Sequence, residues 1–526
     1  MQSHFTNPVK KIVVTNALPY TNGHLHLGHL VGFLQADFWK SFLKLKGCQC
    51  IHICGSDVNG TPIMLHAQKL GTSPEDIWKF YKKSHLDILN KFHISFDVWS
   101  DTAAPDHIDT VRDIYEELVS LDLIYEKDIY QFYDEEKGMF LSDRMVKGTC
   151  PFCKAIDQNG DLCEVCGKSY APADLIKPTS SLSGNVPVLK ESSHLFFKIS
   201  QFKSIFSCMP ELLSEECAKY MSSWSQVALE DWCITRDSPY HGIEVPNLKG
   251  KYFYVWFEAI ISYISFQRDK SIWKDTSVEI YQFIGKDILY FHALFWASIL
   301  KATGRRLPNK ILVNGFLLDR GRKLSKSKGD NLRADKFLEE HDPDVYRFFV
   351  AKRSFGKMSD LHFNLEEMKI MYNSLVIGQI VNVASRTKTF FEKHFDCKLN
   401  QSAIFNYGFR KLELSIHSDV TKAYEQRKFG EVISIVESYI NDTNKRFSHV
   451  EPWHLIKKDP EKVHELCTVS LQQFYNAVRW LRPILPNLAK RSKEYLNDIG
   501  DDTWDSCILP LTACKISKFK SLSNIA

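Results

Sequence analysis

The sequence predicts an α/β fold in which a parallel sheet is split by an insertion and followed by an α-helical bundle. Three observations support this fold class. The first residues alternate short apolar runs with a long amphipathic segment, which is typical of a strand–helix–strand unit. Between residues 119 and 235 the segments become short and rich in turn-forming residues. Beyond residue 365 strand signals nearly vanish and long segments with helical periodicity follow.

The length and composition are those of a globular protein with several domains. A chain of 526 residues is too long for one core, so roughly two to four domains are expected. Hydrophobic residues make up 44% and charged residues 25% of the chain, and the formal net charge is +4. This mild charge neither requires nor excludes nucleic acid as a partner. Because neither a secretory leader nor a membrane-spanning apolar run is recognisable, we expect a cytoplasmic protein without membrane contact.

The N-terminal unit is predicted from its hydrophobic periodicity. Residues 11–15 and 50–54 are short apolar runs typical of buried parallel strands. Between them, a helix with one apolar face begins after His26 and ends at Gly47. Strand-like runs return at residues 252–256, 279–284 and 310–314, and the second precedes an apolar helix over 287–300. Two long helical segments, 368–391 and 465–496, indicate the bundle.

Four of the 14 cysteines form two C-x-x-C pairs. Cys150, Cys153, Cys163 and Cys166 have the spacing C-x2-C-x9-C-x2-C, at which two thiolate pairs can close tetrahedrally around one Zn²⁺. Because no ligand position would remain open, this metal is expected to be structural. Free buried thiols or a redox pair are the alternatives.

The tetrapeptide His26-Leu27-Gly28-His29 lies at the first strand-to-helix junction. Backbone N–H groups and the helix dipole favour anionic phosphates at such a junction. Both histidines can donate to ATP oxygens, and Gly28 has no side chain to block a nearby base. Taken alone, these residues could equally do no more than open a helix.

Residues 323–329 form a basic, hydroxyl-bearing loop after a predicted strand. Such a loop can close on a triphosphate, because its ammonium groups offset the charge that develops as pyrophosphate leaves. The candidate ATP-binding residues are Lys323, Ser325, Lys326 and Ser327. Without the tetrapeptide upstream, this segment would more often be a solvated run of charges.

Together the two segments resemble the HIGH and KMSKS signatures of class I aminoacyl-tRNA synthetases, with Leu27 and Leu324 as departures. Over essentially the whole chain, the resemblance is to methionyl-tRNA synthetases. Five stretches carry it: NALPY at 16–20, GTPIM at 60–64, KGTCP at 147–151, GKYFYVW at 250–256 and FIGKDI at 283–288.

The resemblance implies a methionine site. Asp57 is expected to bind the ammonium group, because a cation in a closed pocket needs a carboxylate partner. A polarizable thioether packs well against aromatic rings, and the expected pocket residues are Ala17, Leu18, Tyr20, Trp256, Ala259, Tyr263, Ile288, His292 and Trp296. Some of these could instead be ordinary core residues. Ser56 and Ile260 depart from the family, in which an acidic residue (in some relatives) and a proline stand there.

The resemblance also implies that the helical part reads the tRNA anticodon. Asn382 and Arg386 are four residues apart and therefore share a helix face. Trp453, after Pro452, offers a flat ring on which an unstacked base can stack. Gly378 stands where another asparagine is usual. Without the resemblance, Asn382 and Arg386 would be an ordinary solvated face and Trp453 a capping aromatic residue.

The implied reaction has two steps. The methionine carboxylate attacks the α-phosphorus of ATP–Mg²⁺ to give methionyl-adenylate and pyrophosphate, and a ribose hydroxyl of tRNA(Met) then accepts the methionyl group. His26, His29, Lys323 and Lys326 are expected to stabilise phosphates, and Arg236 to support the adenylate. The implied divisions are 1–118 and 236–325 for the two halves of a Rossmann-like catalytic domain, 119–235 for a zinc-bearing connective insertion, 326–365 for the signature loop and linker, and 366–526 for the anticodon-binding domain.

Two other functions stay open at this point. The first is a class I synthetase for leucine, isoleucine, valine or cysteine. The second is a synthetase-like RNA-binding or regulatory protein that has lost catalysis. Because the chain ends soon after the helical part, we expect a monomer rather than the dimer formed by relatives with an extra C-terminal domain.

Overall fold

The computed structural model describes residues 10–141, 145–160, 163, 165–166, 168, 170, 172–226, 229–319, 321–323, 332–406, 410–500, 502–511 and 515–517. The chain starts as the predicted strand–helix–strand unit. Its elements are β1 (Lys11–Asn16), α1 (Leu27–Leu45), β2 (Gln49–Ser56), α2 (Thr61–Leu70), α3 (Pro74–Lys91), β3 (Val98–Asp101) and α4 (Pro105–Ser120).

The next segment leaves the parallel sheet and forms two small antiparallel sheets. Its elements are β4 (Ile124–Asp134), β5 (Met139–Phe140), β6 (Val146–Thr149), β7 (Gln158–Asn159), β8 (Ile176–Ser180), β9 (Val188–Phe197), α5 (Met209–Leu212), α6 (Glu215–Ser222), β10 (Trp232–Cys233) and β11 (Thr235–Asp237). The strand orders are β10–β9–β4–β5 and β7–β6–β8. Three short 3₁₀ helices connect them, at Pro172–Asp174, Ile199–Cys208 and Ser223–Gln226.

The chain then returns to the parallel sheet. This part contains β12 (Lys251–Phe253), α7 (Val255–Ser265), β13 (Val278–Gly285), α8 (Ala297–Ala302), β14 (Lys310–Asn314), β15 (Leu317–Asp319), β16 (Arg322–Lys323), α9 (Ala334–Glu340), α10 (Pro343–Lys352) and β17 (Leu361–Phe363). The parallel sheet has the order β14–β13–β1–β2–β3. The chain order therefore reverses between β1 and β13, and a crevice opens at the carboxyl ends of strands at such a point.

Two local predictions in this part are wrong. The run 252–256 is not one strand, because β12 ends at Phe253 and Val255 begins α7. A short apolar run cannot by itself be told from the start of a buried helix. The predicted helix over 287–300 is a 3₁₀ turn at Lys286–Ile288, a π-helical turn at Phe291–Trp296 and then α8.

Helices make up the rest of the described chain, as predicted. They are α11 (Leu365–Tyr372), a π-helical stretch at Asn373–Val381, α12 (Asn382–His394), α13 (Gln401–Asn406), α14 (Arg410–Glu425), α15 (Phe429–Val450), α16 (Pro452–Leu455), α17 (Pro460–Leu481), α18 (Pro486–Leu496) and a 3₁₀ turn at Asp505–Ile508. The predicted segment 465–496 is divided at Pro483 and Pro486, since proline cannot continue a helix. Among the described residues, none of the helices is both long and apolar enough to cross a membrane.

Helix α1 packs directly on the helical bundle. The ring of Phe42 stacks on Tyr424 at a centroid distance of 4.9 Å and meets Trp504 edge-on at 4.8 Å. Phe38 meets Phe429 edge-on at 5.3 Å. One apolar core therefore continues from a face of the parallel sheet into the bundle.

A buried ion cluster lies inside this joint. Arg347 of α10 is 1% exposed and donates to Asp37 of α1 at 2.9 Å, while Lys40 reaches the other oxygen of Asp37 at 2.7 Å. Arg347 also donates to the carbonyls of Phe92 at 2.7 Å, Pro483 at 2.7 Å and Ile484 at 2.8 Å. Burial alone would raise the pKa of Asp37, but Lys40 and Arg347 lower it below its ordinary value.

Replacing Arg347 by methionine is expected to lower the free energy of unfolding by about 3–5 kcal/mol, because Asp37 would stay buried with one cation fewer. Chemical denaturation followed by circular dichroism measures this loss. The matched control is Lys44→Met, which breaks the exposed pair with Asp97 (2.8 Å) and should cost less than about 1 kcal/mol. Equal, small losses in both variants would contradict a structural role for the cluster.

Candidate active site

The tetrapeptide His26-Leu27-Gly28-His29 forms the N-terminus of α1 at the carboxyl edge of the sheet. His26 has extended backbone and directly precedes the helix. Its N–H donates to Nδ1 of His29 at 3.1 Å, and the two imidazole rings lie 3.6 Å apart. A Cβ on Gly28 would come within 3.0 Å of the His26 ring. The free N–H groups of the first helical turn therefore adjoin two imidazoles, an arrangement that suits an anion.

The second signature segment returns to the same place. Ser325, Lys326 and Ser327 lie outside the described residues, and for Lys323 the structure describes the backbone at the end of β16. Where the chain resumes, the N–H of Leu27 donates to the Leu332 carbonyl at 2.9 Å, and the N–H of Ala334 donates to Leu25 at 3.0 Å. The two segments, far apart in sequence, thus meet at the start of α1.

Asp57 directly follows β2 and is held against the segment that follows β1. Its N–H donates to the Pro19 carbonyl at 3.1 Å. Its own carbonyl accepts from the N–H of Thr21 at 3.0 Å and from the Thr21 hydroxyl at 2.7 Å. On the other side, the N–H of Ala17 donates to Phe283 of β13 at 3.1 Å. Asp57, 8% exposed, therefore lies where the order of the sheet reverses.

Helix α7 supplies one wall of the candidate pocket. Trp256, Ala259 and Tyr263 follow one another at intervals of three and four residues and share a face of the helix. The Trp256 ring stacks on Phe291 at 4.3 Å with an interplanar angle of 8°. Sequence reasoning missed Phe291, although it directly precedes His292 in an unusually aromatic run.

His292 is fixed as a neutral imidazole with one defined tautomer. Its Nδ1 lies 2.9 Å from the Ile288 carbonyl, which can only accept, so Nδ1 carries the proton. Nε2, 2.8 Å from the Tyr263 hydroxyl, therefore accepts from it. Burial lowers the pKa of His292 to about 4 and raises the pKa of Tyr263 well above its ordinary value. This wall is polar but uncharged, which suits a neutral side chain better than an ionised one.

The remaining predicted pocket residues fall into two layers. Ala17, Leu18, Trp256 and Ile288 are partly buried on the same apolar cluster that contains Tyr263 and Trp296. Trp296 is fully buried behind Tyr263, with ring centroids 5.9 Å apart, and it packs edge-on against Trp273. Tyr20 pairs with Asp57 through the backbone.

Arg236 lies on β11, which pairs with β12 and so joins the insertion to α7. Its guanidinium carbon is 3.6 Å from the centroid of the Tyr254 ring, and it donates to the Thr235 carbonyl at 2.8 Å. Tyr254 directly precedes α7, so Arg236 is held near the start of the pocket wall.

The four predicted cysteines come together. Their Sγ atoms all lie within 4.8 Å of one another, with Cys150 and Cys166 at 3.9 Å and Cys153 and Cys163 at 3.5 Å. Tetrahedral Zn–S bonds of about 2.3 Å correspond to S–S separations of about 3.8 Å. The N–H groups of Phe152 and Cys153 also point to Cys150 Sγ, at 3.4 and 3.5 Å. The cluster can therefore bind one metal ion such as zinc.

The predicted anticodon residues share one region of the bundle. Asn444 of α15 accepts from Asn382 at 3.4 Å and from Arg386 at 3.5 Å, while Arg386 also donates to Ser448 at 3.0 Å. Helix α15 ends at Val450, immediately before Pro452 and Trp453 at the start of α16. Trp453 is 47% exposed, so its ring is open to a stacking partner. Sequence reasoning missed Asn444, which no short motif marks.

Comparisons with known proteins give the family. A family model described as tRNA synthetases class I (M) matches residues 12–388. The methionine–tRNA ligase of Francisella tularensis subsp. holarctica is 40% identical over 98% of this chain and 79% of that protein. The chain belongs to the methionyl-tRNA synthetase family. The enzyme of Francisella tularensis subsp. tularensis matches this family member to the same extent, at 40% identity over 98% of the chain.

A solved structure supports the fold of this family member. Mycobacterium tuberculosis methionyl-tRNA synthetase bound by methionyl-adenylate has a TM-score of 0.79 and 20% identity, covering 97% of this chain and 99% of that one. The predicted α/β class with a helical C-terminal part is confirmed.

Tyr263→Phe is expected to lower the free energy of unfolding by about 1–3 kcal/mol, because Nε2 of His292 would lose its buried donor. Chemical denaturation measures the change. The control is Tyr220→Phe, at a side chain 49% exposed on α6, which should change stability by no more than about 0.5 kcal/mol. A Tyr263→Phe variant as stable as this control would contradict the assigned hydrogen bond.

Proposed function

We propose that this chain is a methionine–tRNA ligase, which activates L-methionine with ATP and transfers it to tRNA(Met) for protein biosynthesis. The observation that carries the proposal is the position of Asp57. This carboxylate lies at the reversal point of the sheet, between the ATP-type junction at His26–His29 and the uncharged wall of α7. An ammonium group, a thioether and a triphosphate are the three chemistries that these surroundings suit.

In the proposed first step, Asp57 binds the methionine ammonium group and the aromatic wall takes the thioether. The methionine carboxylate is thereby oriented toward the α-phosphorus of ATP, which it attacks while pyrophosphate leaves. Catalysis of this kind is mainly positioning and charge stabilisation. The residues assigned to ATP are His26, Gly28, His29, Lys323, Ser325, Lys326 and Ser327. When bound with ATP, Mg²⁺ neutralises phosphate charge.

In the proposed second step, the ribose 2′-hydroxyl at the 3′ end of tRNA(Met) attacks the acyl carbon of the adenylate and AMP leaves. Arg236 supports the adenylate from the junction between β11 and β12. Asn382, Arg386, Pro452 and Trp453 are assigned to the anticodon. The cluster that Asn382 and Arg386 form with Asn444, and the exposed ring of Trp453, support this assignment.

The proposed organisation follows from these roles. Residues 1–118 and 236–325 form the catalytic domain, 119–235 the connective insertion, 326–365 the signature loop and linker, and 366–526 the anticodon-binding domain. The return of the chain to the parallel sheet at β13 supports the split. We place the protein in the cytoplasm, where translation needs it and where cysteines stay reduced.

Methionine-dependent exchange of pyrophosphate into ATP tests the activation step. The protein should exchange with methionine at a kcat/KM at least about 100-fold above that for leucine, isoleucine, valine or cysteine, because a missing or misplaced group in the pocket costs roughly 1–3 kcal/mol. Preference for another amino acid, or exchange with none, would overturn the proposal. Lys326→Ala is the variant within the signature segment, and its exchange should slow by about 10²–10³-fold.

The metal is proposed to be one structural zinc ion per chain, which elemental analysis of the purified protein should detect. Cys150→Ser combined with Cys163→Ser should abolish zinc binding and lower the melting temperature, because a structural zinc site contributes folding energy. Cys217→Ser changes a buried thiol on α6, outside the cluster, and should keep its zinc. Full zinc content in the double variant would contradict the assignment.

A further inference from the structure

A buried carboxyl group beneath the candidate methionine pocket has no part in the proposed reaction. Glu258 of α7 is 0% exposed, and its neighbours His107 of α4 and Asn59 are 1% and 5% exposed. Oε1 of Glu258 accepts from the Asn59 side-chain amide at 3.0 Å. Oε2 lies 2.9 Å from Nε2 of His107, whose Nδ1 lies 2.8 Å from the Ser265 hydroxyl.

The protons of this network can be placed from its surroundings. Burial raises the pKa of Glu258 to about 8 and lowers the pKa of His107 to about 3. At neutral pH both groups are therefore uncharged. The Glu258 carboxyl then donates its proton to Nε2 of His107, and Nδ1–H of His107 donates to Ser265. A neutral Glu258 does not compete with Asp57 for an ammonium group.

Asn59 connects this network to the loop that carries Asp57. It follows Asp57 by two residues, and its N–H lies 3.5 Å from Oδ1 of Asp57. Its carbonyl accepts from the hydroxyl of Tyr20. The next residue, Gly60, has φ +98° and donates to the His241 carbonyl at 2.6 Å. The loop is therefore held at several points in one backbone conformation.

Glu258 belongs to the opposite wall of the pocket. It lies in α7 between Trp256 and Tyr263 and directly precedes Ala259. The hydrogen bond between Asn59 and Glu258 is thus a direct side-chain link from the ammonium-binding loop to the helix that carries the thioether wall, across 199 positions of the sequence.

We propose that Glu258, acting through Asn59, is a positioning residue that fixes the distance between the Asp57 carboxylate and the α7 wall, and so sets the side-chain length that the pocket accepts. This inference rests on the proposed function, because it needs Asp57 and α7 to bind the two ends of one amino acid. Neither Glu258 nor Asn59 touches the reacting atoms.

Steady-state pyrophosphate exchange on the full-length protein tests the inference. Glu258→Leu removes both hydrogen bonds and should raise the KM for methionine roughly tenfold, as expected for a buried amide left without its acceptor. The KM for ATP should stay within about twofold, because the junction at His26–His29 makes no use of Glu258. The preference for methionine over S-methylcysteine and ethionine, which are one methylene shorter and longer, should fall by a similar factor.

Two further variants separate positioning from folding. Glu258→Gln can still accept from Asn59 and donate to His107, so its KM for methionine should stay within about twofold of the parent. Asn59→Ala breaks the same link from a loop and should reproduce the Glu258→Leu kinetics if that variant does not fold. The matched control is Glu413→Leu, which removes a carboxyl 1% exposed in the bundle and bonded to Tyr439 at 3.0 Å. It should leave both KM values and the length preference unchanged.

The outcomes distinguish the two proposals. If Glu258→Leu and Asn59→Ala lower kcat for all amino acids without changing KM for methionine or the length preference, the positioning role is overturned. The same holds if Glu258→Gln is as impaired as Glu258→Leu. A parent protein that does not exchange with methionine overturns the proposed function and this inference with it.

Discussion

The guanidinium of Arg347 is the contact on which the joining of the two parts of the molecule depends. It binds the Asp37 carboxylate in α1, the last carbonyl before the turn after α3, and the two carbonyls between α17 and α18. A buried charge of this kind adds little net stability compared with a well-packed apolar group. It does require one geometry, because the planar donors must meet carbonyls from three separate elements at once. Helix α1 is therefore fixed relative to the bundle.

This constraint matters for the site because the same helix carries His26–His29 at its N-terminus. The ATP-type junction, the end of β16 and the bundle thus share one rigid element, and the chain re-enters the site at Leu332–Ala334 by pairing with the residues before α1. The amino-acid pocket is supported differently. It rests on β1, β2 and β13 and on α7, so the two substrates are held by different parts of one sheet edge.

The sequence predicted the parts of this arrangement that are encoded locally. Strands β1, β2, β13 and β14 are apolar because both faces of the sheet are covered, and the cysteine spacing needs no tertiary context. β3 was missed, since its four residues are only half-buried and do not form an apolar run. Trp256 was placed in a strand because its apolar neighbours fit either structure.

The rest of the site depends on contacts between distant segments, which periodicity cannot supply. Phe291 faces Trp256 only because a π-helical turn replaces the expected α-helix after Ile288. Asn444 meets Asn382 and Arg386 only through the packing of α12 on α15. Glu258 did leave a signal, an acidic residue within an otherwise apolar run of α7, and such a residue requires buried partners.

Glu258 and Asp57 show how two carboxyl groups near one loop can take different roles. Asp57 lies at the crevice, where a bound cation can accompany its charge. Glu258 is enclosed between Asn59 and a neutral imidazole, and its raised pKa keeps it uncharged. Were both ionised, the ammonium group would be attracted to two places and its position would no longer fix where the side chain points. Separating the charge from the positioning contact leaves one anchor for the substrate and one link that sets its distance from the aromatic wall.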